Sequence, residues 1–217
     1  FLGDVHGKRI FDFGCGDGGD AILFGLRGAD VVGVDISTKA IAAAQARAAL
    51  HGLTDRVQFH AAPVETYLSR NHGELPFDII FGNAVLHHVL PVLDSVLVGL
   101  RKLAHADTTF IFIEPAAPKW LRRLRLMLPI PTRGTPGERP LNGNDFAVLR
   151  RHFPKMRVRA FSLTLRVWGA LCSIPYRDFS PSRRAIYHGL AHFDNAVLSL
   201  PGIKRLGSVV VIHGFIS

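Results

Sequence analysis

The 217 residues carry 26 Lys/Arg against 17 Asp/Glu, a formal net charge of +9, and 48% of side chains are hydrophobic; a chain of this size is expected to bury a substantial core as a single domain, 1–217. No run of 18 uncharged apolar residues occurs and no charged segment leads into an apolar stretch, which excludes a membrane-crossing helix and a secretory signal within these residues. Cys15 and Cys172 are too few for a disulfide framework or a zinc cluster, so a reducing, cytoplasmic location is expected.

In chain order, "RIFDF" (9–13) is a short apolar run ended by glycine and reads as a first strand; "GDAILFGLRG" then reads as a helix closed by Gly28. "ADVVGVD" gives a second buried strand ending in Asp35, and Ser37 starts the alanine-rich helix "STKAIAAAQARAALHG" with Gly52 at its C-terminal end. "RVQFH" (56–60) is a third strand, "PVETYLSR" a short helix, "FDIIFGN" (77–83) a fourth strand, "VLPVLDSVLVGLRKLA" a longer helix and "TTFIFIEP" (108–115) a fifth strand. Strands alternating with helices predict a parallel sheet wound on both faces. The regularity breaks after Pro115: prolines and glycines forbid a long helix over 115–143 except across about 118–128. Asn144 is expected to cap "DFAVLRRHF", "KMRVRAFSLTLRVW" to start as a strand, "SPSRRAIYHGLAHFDNAVLSLP" to be a helix, and "LGSVVVIHG" to close the chain as a strand within 206–215. Because the sequence opens at Phe1 and not at Met, an upstream piece, such as a lid ahead of the first strand, is an expectation.

Charge is divided unevenly. Residues 1–114 hold 9 Lys/Arg and 13 Asp/Glu, a net of −4, while residues 115–217 hold 17 and 4, a net of +13. The basic half suits an anionic partner (small acid, nucleic acid or membrane surface) or is a solvated basic face.

The glycines of "RIFDFGCGDGGD" fit two nucleotide sites. Gly14, Gly16 and Gly19 spell a dinucleotide turn, whereas Asp12 with Gly14, Gly16 and Gly18 spells the acidic-x-G-x-G-x-G of an S-adenosylmethionine turn. Asp35, 21 residues beyond Gly14 at the end of the second strand, suits two ribose hydroxyls in either case, or caps the next helix. Asp12, Asp17 and Asp20 would repel a pyrophosphate but suit a sulfonium and an ammonium group.

"IFDFGCGDGGDAI", "ADVVGVDIS", "FDIIFGNAVLHHV" and "LRKLAHADTTFIFIEP" resemble, in order and spacing, the successive motifs of the class I S-adenosylmethionine-dependent methyltransferases over residues 7–115. The resemblance implies an α/β, Rossmann-like, doubly wound seven-stranded sheet with an antiparallel last strand, here with a helical insertion after strand 5. It implies S-adenosylmethionine as cofactor and S-adenosylhomocysteine as product. Residues 1–114 would be the cofactor-binding core and 115–200 the acceptor-binding part. Asp12 would meet the methionine ammonium; Gly14, Cys15 and Gly16 would let the backbone approach; Asp35 would hold the ribose, Ile36 would pack on adenine and Asn83 would line the methionine side. After the third strand the family commonly has an acid for the adenine amino group; Ala62 stands there, leaving that task to backbone or to Glu65.

Methyl transfer needs an aligned nucleophile and a dry site, and a hydroxyl acceptor gains from a base. His87 and His88, just past the fourth strand, are the candidates, His88 slightly preferred; packing or backbone bonding is the plain alternative. The other histidines show no metal-ligand spacing, so no metal is expected. Neither an Asn-Pro-Pro-aromatic nor an Asp-Pro-Pro-aromatic tetrapeptide follows the fourth strand, and there is no Pro-Cys nucleophile, which demotes nucleobase methylation. In "KWLRRLRLMLP", Trp120, Leu124 and Met127 or Leu128 would share one helix side, with Lys119, Arg122, Arg123 and Arg125 largely elsewhere. Such a segment covers an active site or, across 119–128, lies on a membrane. Arg133 and Arg139 could clamp a carboxylate or phosphate, or pair with Glu138. The expected enzyme methylates oxygen on a hydroxylated or acidic, partly apolar small molecule of metabolite, lipid or quinone type. The alternatives are an RNA methyltransferase, a nicotinamide-dependent reductase and a catalytically inactive binding protein.

Overall fold

The computed structural model describes residues 2–70, 75–116, 138–165, 168, 176–200 and 202–216. Strands and helices alternate as β1 (Arg9–Phe13), α1 (Gly19–Leu26), β2 (Asp30–Asp35), α2 (Thr38–Leu50), β3 (Val57–Ala61), α3 (Val64–Ser69), β4 (Phe77–Asn83), α4 (Leu93–Lys102) and β5 (Ala104–Pro115). After these come α5 (Gly143–His152), β6 (Arg157–Phe161), α6 (Pro181–Ser199) and β7 (Val209–Phe215). The sheet order is β3-β2-β1-β4-β5-β7-β6. β1 pairs in parallel with both β2 and β4, so the winding direction reverses beside β1 and opens a crevice past the carboxyl ends of β1 and β4. β7 runs antiparallel to β5: Ile216 donates to the Thr108 carbonyl at one end and Ala116 to the Ser208 carbonyl at the other.

The chain forms two compact units. The first comprises residues 1–114, 141–157 and 212–217; the second comprises 115–140 and 158–211. In the first, α4 buries Leu93, Val96, Leu97 and Leu100, the i, i+3, i+4, i+7 face its sequence predicts. Phe110, Phe112 and Phe153 are fully buried, with Phe110 and Phe153 stacked at 4.0 Å; each such side chain contributes about 1.5–3 kcal/mol of burial. In the second unit α6 buries only Asp194 and Leu198 along 19 residues. The Asp194 carboxylate accepts from the backbone amides of Leu163, Thr164 and Leu165 and from the Thr164 hydroxyl, at 2.7–3.1 Å.

Two of the boundaries that differ from the sequence expectation have a local cause in side-chain hydrogen bonds. β5 begins at Ala104, four residues before Thr108, because its register against β4 shifts between Phe77 and Ile79 and the Thr108 hydroxyl closes the irregularity on the Phe77 carbonyl. α5 is capped by Asn142, not Asn144. The Asn142 side chain accepts from the Asn144 and Asp145 amides while Asp145 reaches back to the Asn142 amide, a reciprocal capping box. The helical insertion expected after strand 5, including 118–128, lies outside the described residues.

Candidate cofactor and active site

β1 delivers Asp12 to the crevice, and the chain then turns through Gly14, Gly16 and Gly18, all at positive φ. Space decides two of these positions as firmly as φ does: a Cβ on Gly14 would collide with Val85, and one on Gly18 would press on Ala44 and Phe59 at 2.8–2.9 Å. Nothing lies within 4 Å of the corresponding position on Gly16. The loop is anchored from two sides. The Gly16 amide donates to Asp35 Oδ2 at 2.9 Å, and Arg47 of α2 holds Asp17 by Nη2 to Oδ2 at 2.8 Å and by Nη1 to the Asp17 carbonyl.

Asp12 is 1% exposed, and its Oδ2 has no hydrogen-bond partner. Burial first, then the charges of Asp20 and Asp35, push its carboxyl up to about 8. Asp12 is therefore held neutral at pH 7 until a cation meets it. Burial also pushes the Cys15 thiol up, with Asp12 and Asp35 adding, so it is an unreactive packing group beside Gly33. Asp17 differs from its neighbours. It is paired with Arg47, whereas Asp20 and Asp35 are the carboxylates that act on Asp12.

Asp35 Oδ1 accepts from the Ser37 amide at 2.8 Å, so this carboxylate both braces the loop and caps the turn into α2. Ile36 is 73% exposed at the same strand end. The Ala62 amide donates to the Asp35 carbonyl, so that backbone donor is already committed. Asn83, at the end of β4, donates from Nδ2 to Asp20 Oδ2 at 3.0 Å, bringing the first turn of α1 to the β4 terminus.

Beyond Asn83 the chain bends sharply, with Ala84 at φ 55 and its amide on the Ile113 carbonyl. Glu114, 1% exposed, closes the bend: Oε1 accepts from the amides of Val85 (2.8 Å) and Leu86 (2.6 Å), and Oε2 lies 2.8 Å from His87 Nδ1. The His87 side chain is 12% exposed, and its ring lies 4.0 Å from that of the exposed His88. Sequence reasoning quoted "FIFIEP" without assigning its acid. A signal was present, since an acid directly after four apolar strand residues is a candidate for burial, and most buried carboxylates are met by donors. Arg139 is exposed and donates to the Pro140 carbonyl; Trp120 and Arg133 lie outside the described residues.

A family model described as a methyltransferase domain matches residues 4–128, more than half of the chain. The chain belongs to this methyltransferase family. A ubiquinone biosynthesis O-methyltransferase of Psychrobacter arcticus is 35% identical over 85 residues, covering 39% of this chain and 32% of that protein. A ribosomal protein L11 methyltransferase of Alteromonas mediterranea is 36% identical over 100 residues, covering 46% and 32%. The match thus spans about a third of the length of these relatives. A geranyl diphosphate C-methyltransferase from Streptomyces coelicolor superimposes with a TM-score of 0.62 at 13% identity, covering all of this chain and 74% of that one, a likeness of fold.

The residues present fit S-adenosylmethionine. The buried Asp12 carboxylate oxygen without a partner suits a cationic group, open space lies above Gly16, and exposed Ile36 follows the Asp35 carboxylate at the strand end. The chain thus carries a methyltransferase domain over residues 4–128, and among the described residues no helix is long and apolar enough to cross a membrane.

Proposed function

We propose that this methyltransferase methylates an oxygen of a small hydroxylated or acidic, partly apolar acceptor, with His87 as the base. The observation that carries this reading is the His87 ring held against buried Glu114 at the carboxyl end of β4, on the segment that also carries Asn83. Asp12 would hold the methionine ammonium, Gly14, Cys15 and Gly16 would line the cofactor with backbone, Asp35 would hold the ribose, Ile36 would cover adenine and Asn83 the methionine side. With its amide bonded to the Asp35 carbonyl, Ala62 would offer adenine only a surface, and its amino group would be met by other backbone or by Glu65. When bound, S-adenosylmethionine supplies an electrophilic methyl group on sulfur. His87 Nε2 would take the acceptor hydroxyl proton as the oxygen attacks in line, and the buried corner would keep water from the reacting pair.

His87 replaces His88 as the favoured base because it is the ring with a buried carboxylate partner, whereas His88 is exposed. Acceptor recognition is assigned to residues 115–200, where the surplus of Lys/Arg suits a carboxylate or phosphate, with Trp120, Arg133 and Arg139 as contacts and 119–128 as cover or membrane-facing segment. Support for a quinone-like or phenolic acceptor comes from the O-methyltransferase name carried by the Psychrobacter relative over its matched third.

Calorimetric titration with S-adenosylmethionine, S-adenosylhomocysteine and NADH, followed by methyl-label transfer to hydroxylated benzoates, quinols and bulk RNA, tests the whole reading. Binding of the first two and label on a phenolic oxygen are expected. NADH binding alone, or label on RNA that vanishes at high salt, would overturn it.

A further inference from the structure

We propose that Glu114 is a positioning residue that fixes the tautomer of His87, presenting an unprotonated Nε2 for proton abstraction; this rests on His87 being the base. Three bonds converge on one buried carboxylate: Val85 N and Leu86 N on Oε1, and His87 Nδ1 opposite Oε2. A carboxylate is acceptor-only, so the shared proton sits on His87 Nδ1, and the neutral ring must then carry its lone pair on Nε2, the atom away from Glu114. The two backbone bonds leave the carboxylate no freedom to rotate away from the ring, and the His88 ring at 4.0 Å restrains His87 on its face. When Nε2 takes a proton, the imidazolium forms beside a fixed negative charge.

The same bonds have a second consequence. Val85 packs directly over Gly14 and at 2.8 Å from where a Cβ on Gly82 would lie, so the bend pinned by Glu114 also supports the cofactor loop. Glu114 thereby couples the base to the cofactor: one carboxylate sets the chemistry of Nε2 and the seating of the glycine turn. Ala84 in the left-handed region is the conformational cost of that arrangement, sustained by the Ala84 amide on Ile113 and the side chain of the next residue along β5.

Glu114→Gln separates the two roles. A glutamine Oε1 can still accept from Val85 and Leu86, while its amide NH₂ donates to Nδ1 and forces the proton onto Nε2. Nitrogen-15 NMR of the full chain, with His87→Gln to assign the ring, should show the Nδ1–H tautomer in wild type and Nε2–H in Glu114→Gln. Methyl transfer to 3,4-dihydroxybenzoate as the probe acceptor should fall in kcat by about 10²–10⁴-fold, with KM for S-adenosylmethionine little changed. Glu114→Ala should instead raise that KM as well, because the bend loses its anchor. An Nε2–H tautomer in wild type, or the same tautomer in both proteins, would overturn the assignment without any activity measurement. Full activity in His87→Ala with the expected tautomers would remove His87 as base while leaving Glu114 as the group that sets its ring.

Discussion

α4 and α6 show how differently the two units are built. Ten residues of α4 bury five, four of them aliphatic side chains, whereas nineteen residues of α6 bury one leucine and one aspartate. The first unit is held by apolar packing around β4 and β5; the second draws much of its definition from a polar anchor, Asp194, and leaves Ile186 and Phe193 about half exposed. Charge follows the same division, a net of −1 over the first unit and +10 over the second. A cofactor of invariant shape suits a densely packed cradle. If the second unit recognises the acceptor, as proposed above, its more exposed α6 leaves room for variation without disturbing that cradle.

The comparison breaks most visibly at Phe110. Phe110→Ala removes a ring stacked on Phe153 in the fully buried core and should cost about 3–5 kcal/mol in urea denaturation, whereas Phe193→Ala on α6 should change stability by no more than about 0.5 kcal/mol. Equal effects would show that the two units are packed alike. Next, Asp194→Ala should cost about 2 kcal/mol, since it leaves three amides and a hydroxyl without their acceptor, and Asp194→Asn should restore part of that loss. A silent Asp194→Ala would show that α6 has an anchor elsewhere.

Asp12 sharpens the cofactor side. Its carboxyl is neutral below about pH 8 in the free protein and should ionise against the methionine ammonium, so binding of S-adenosylmethionine should release a proton below that pH and none well above it. Calorimetry in buffers of different ionisation enthalpy measures the release; buffer-independent heats at pH 6.5 would contradict it. The sign for stability follows from the same shift. A folded value raised above the ordinary carboxylate range contributes stability below about pH 4 that is lost as the pH rises toward 8, and Asp12→Asn should flatten this stretch of the profile. Smallest of all, Arg47→Ala should lower stability by less than about 1 kcal/mol, since its pair with Asp17 is roughly half exposed, yet weaken cofactor binding measurably by loosening the loop. Unchanged affinity would mean that the bond from Gly16 to Asp35 suffices to hold the loop without Arg47.

Much of this molecule was legible along the chain. The alternation of apolar strands with amphipathic helices, the glycine turn after β1, Asp35 at the end of β2 and the ordered motifs through "FIEP" are local patterns, and hydrophobic periodicity with backbone sterics determines them wherever the chain goes. Gly14 and Gly18 belong to that legible set, but the reason for each, Val85 over one and Ala44 with Phe59 over the other, comes from distant elements. Tertiary structure alone decided which acid is buried, which is ion-paired, and which histidine meets the Glu114 carboxylate. Asp17 meets Arg47 from α2, Asn83 meets Asp20 across 63 residues, and His87 meets Glu114 across 27, because the sheet order sets β2 and β4 on either side of β1 and β5 beside β4. A carboxylate's burial and hydrogen-bond donors are properties of its neighbours in space, and strand order brings those neighbours together.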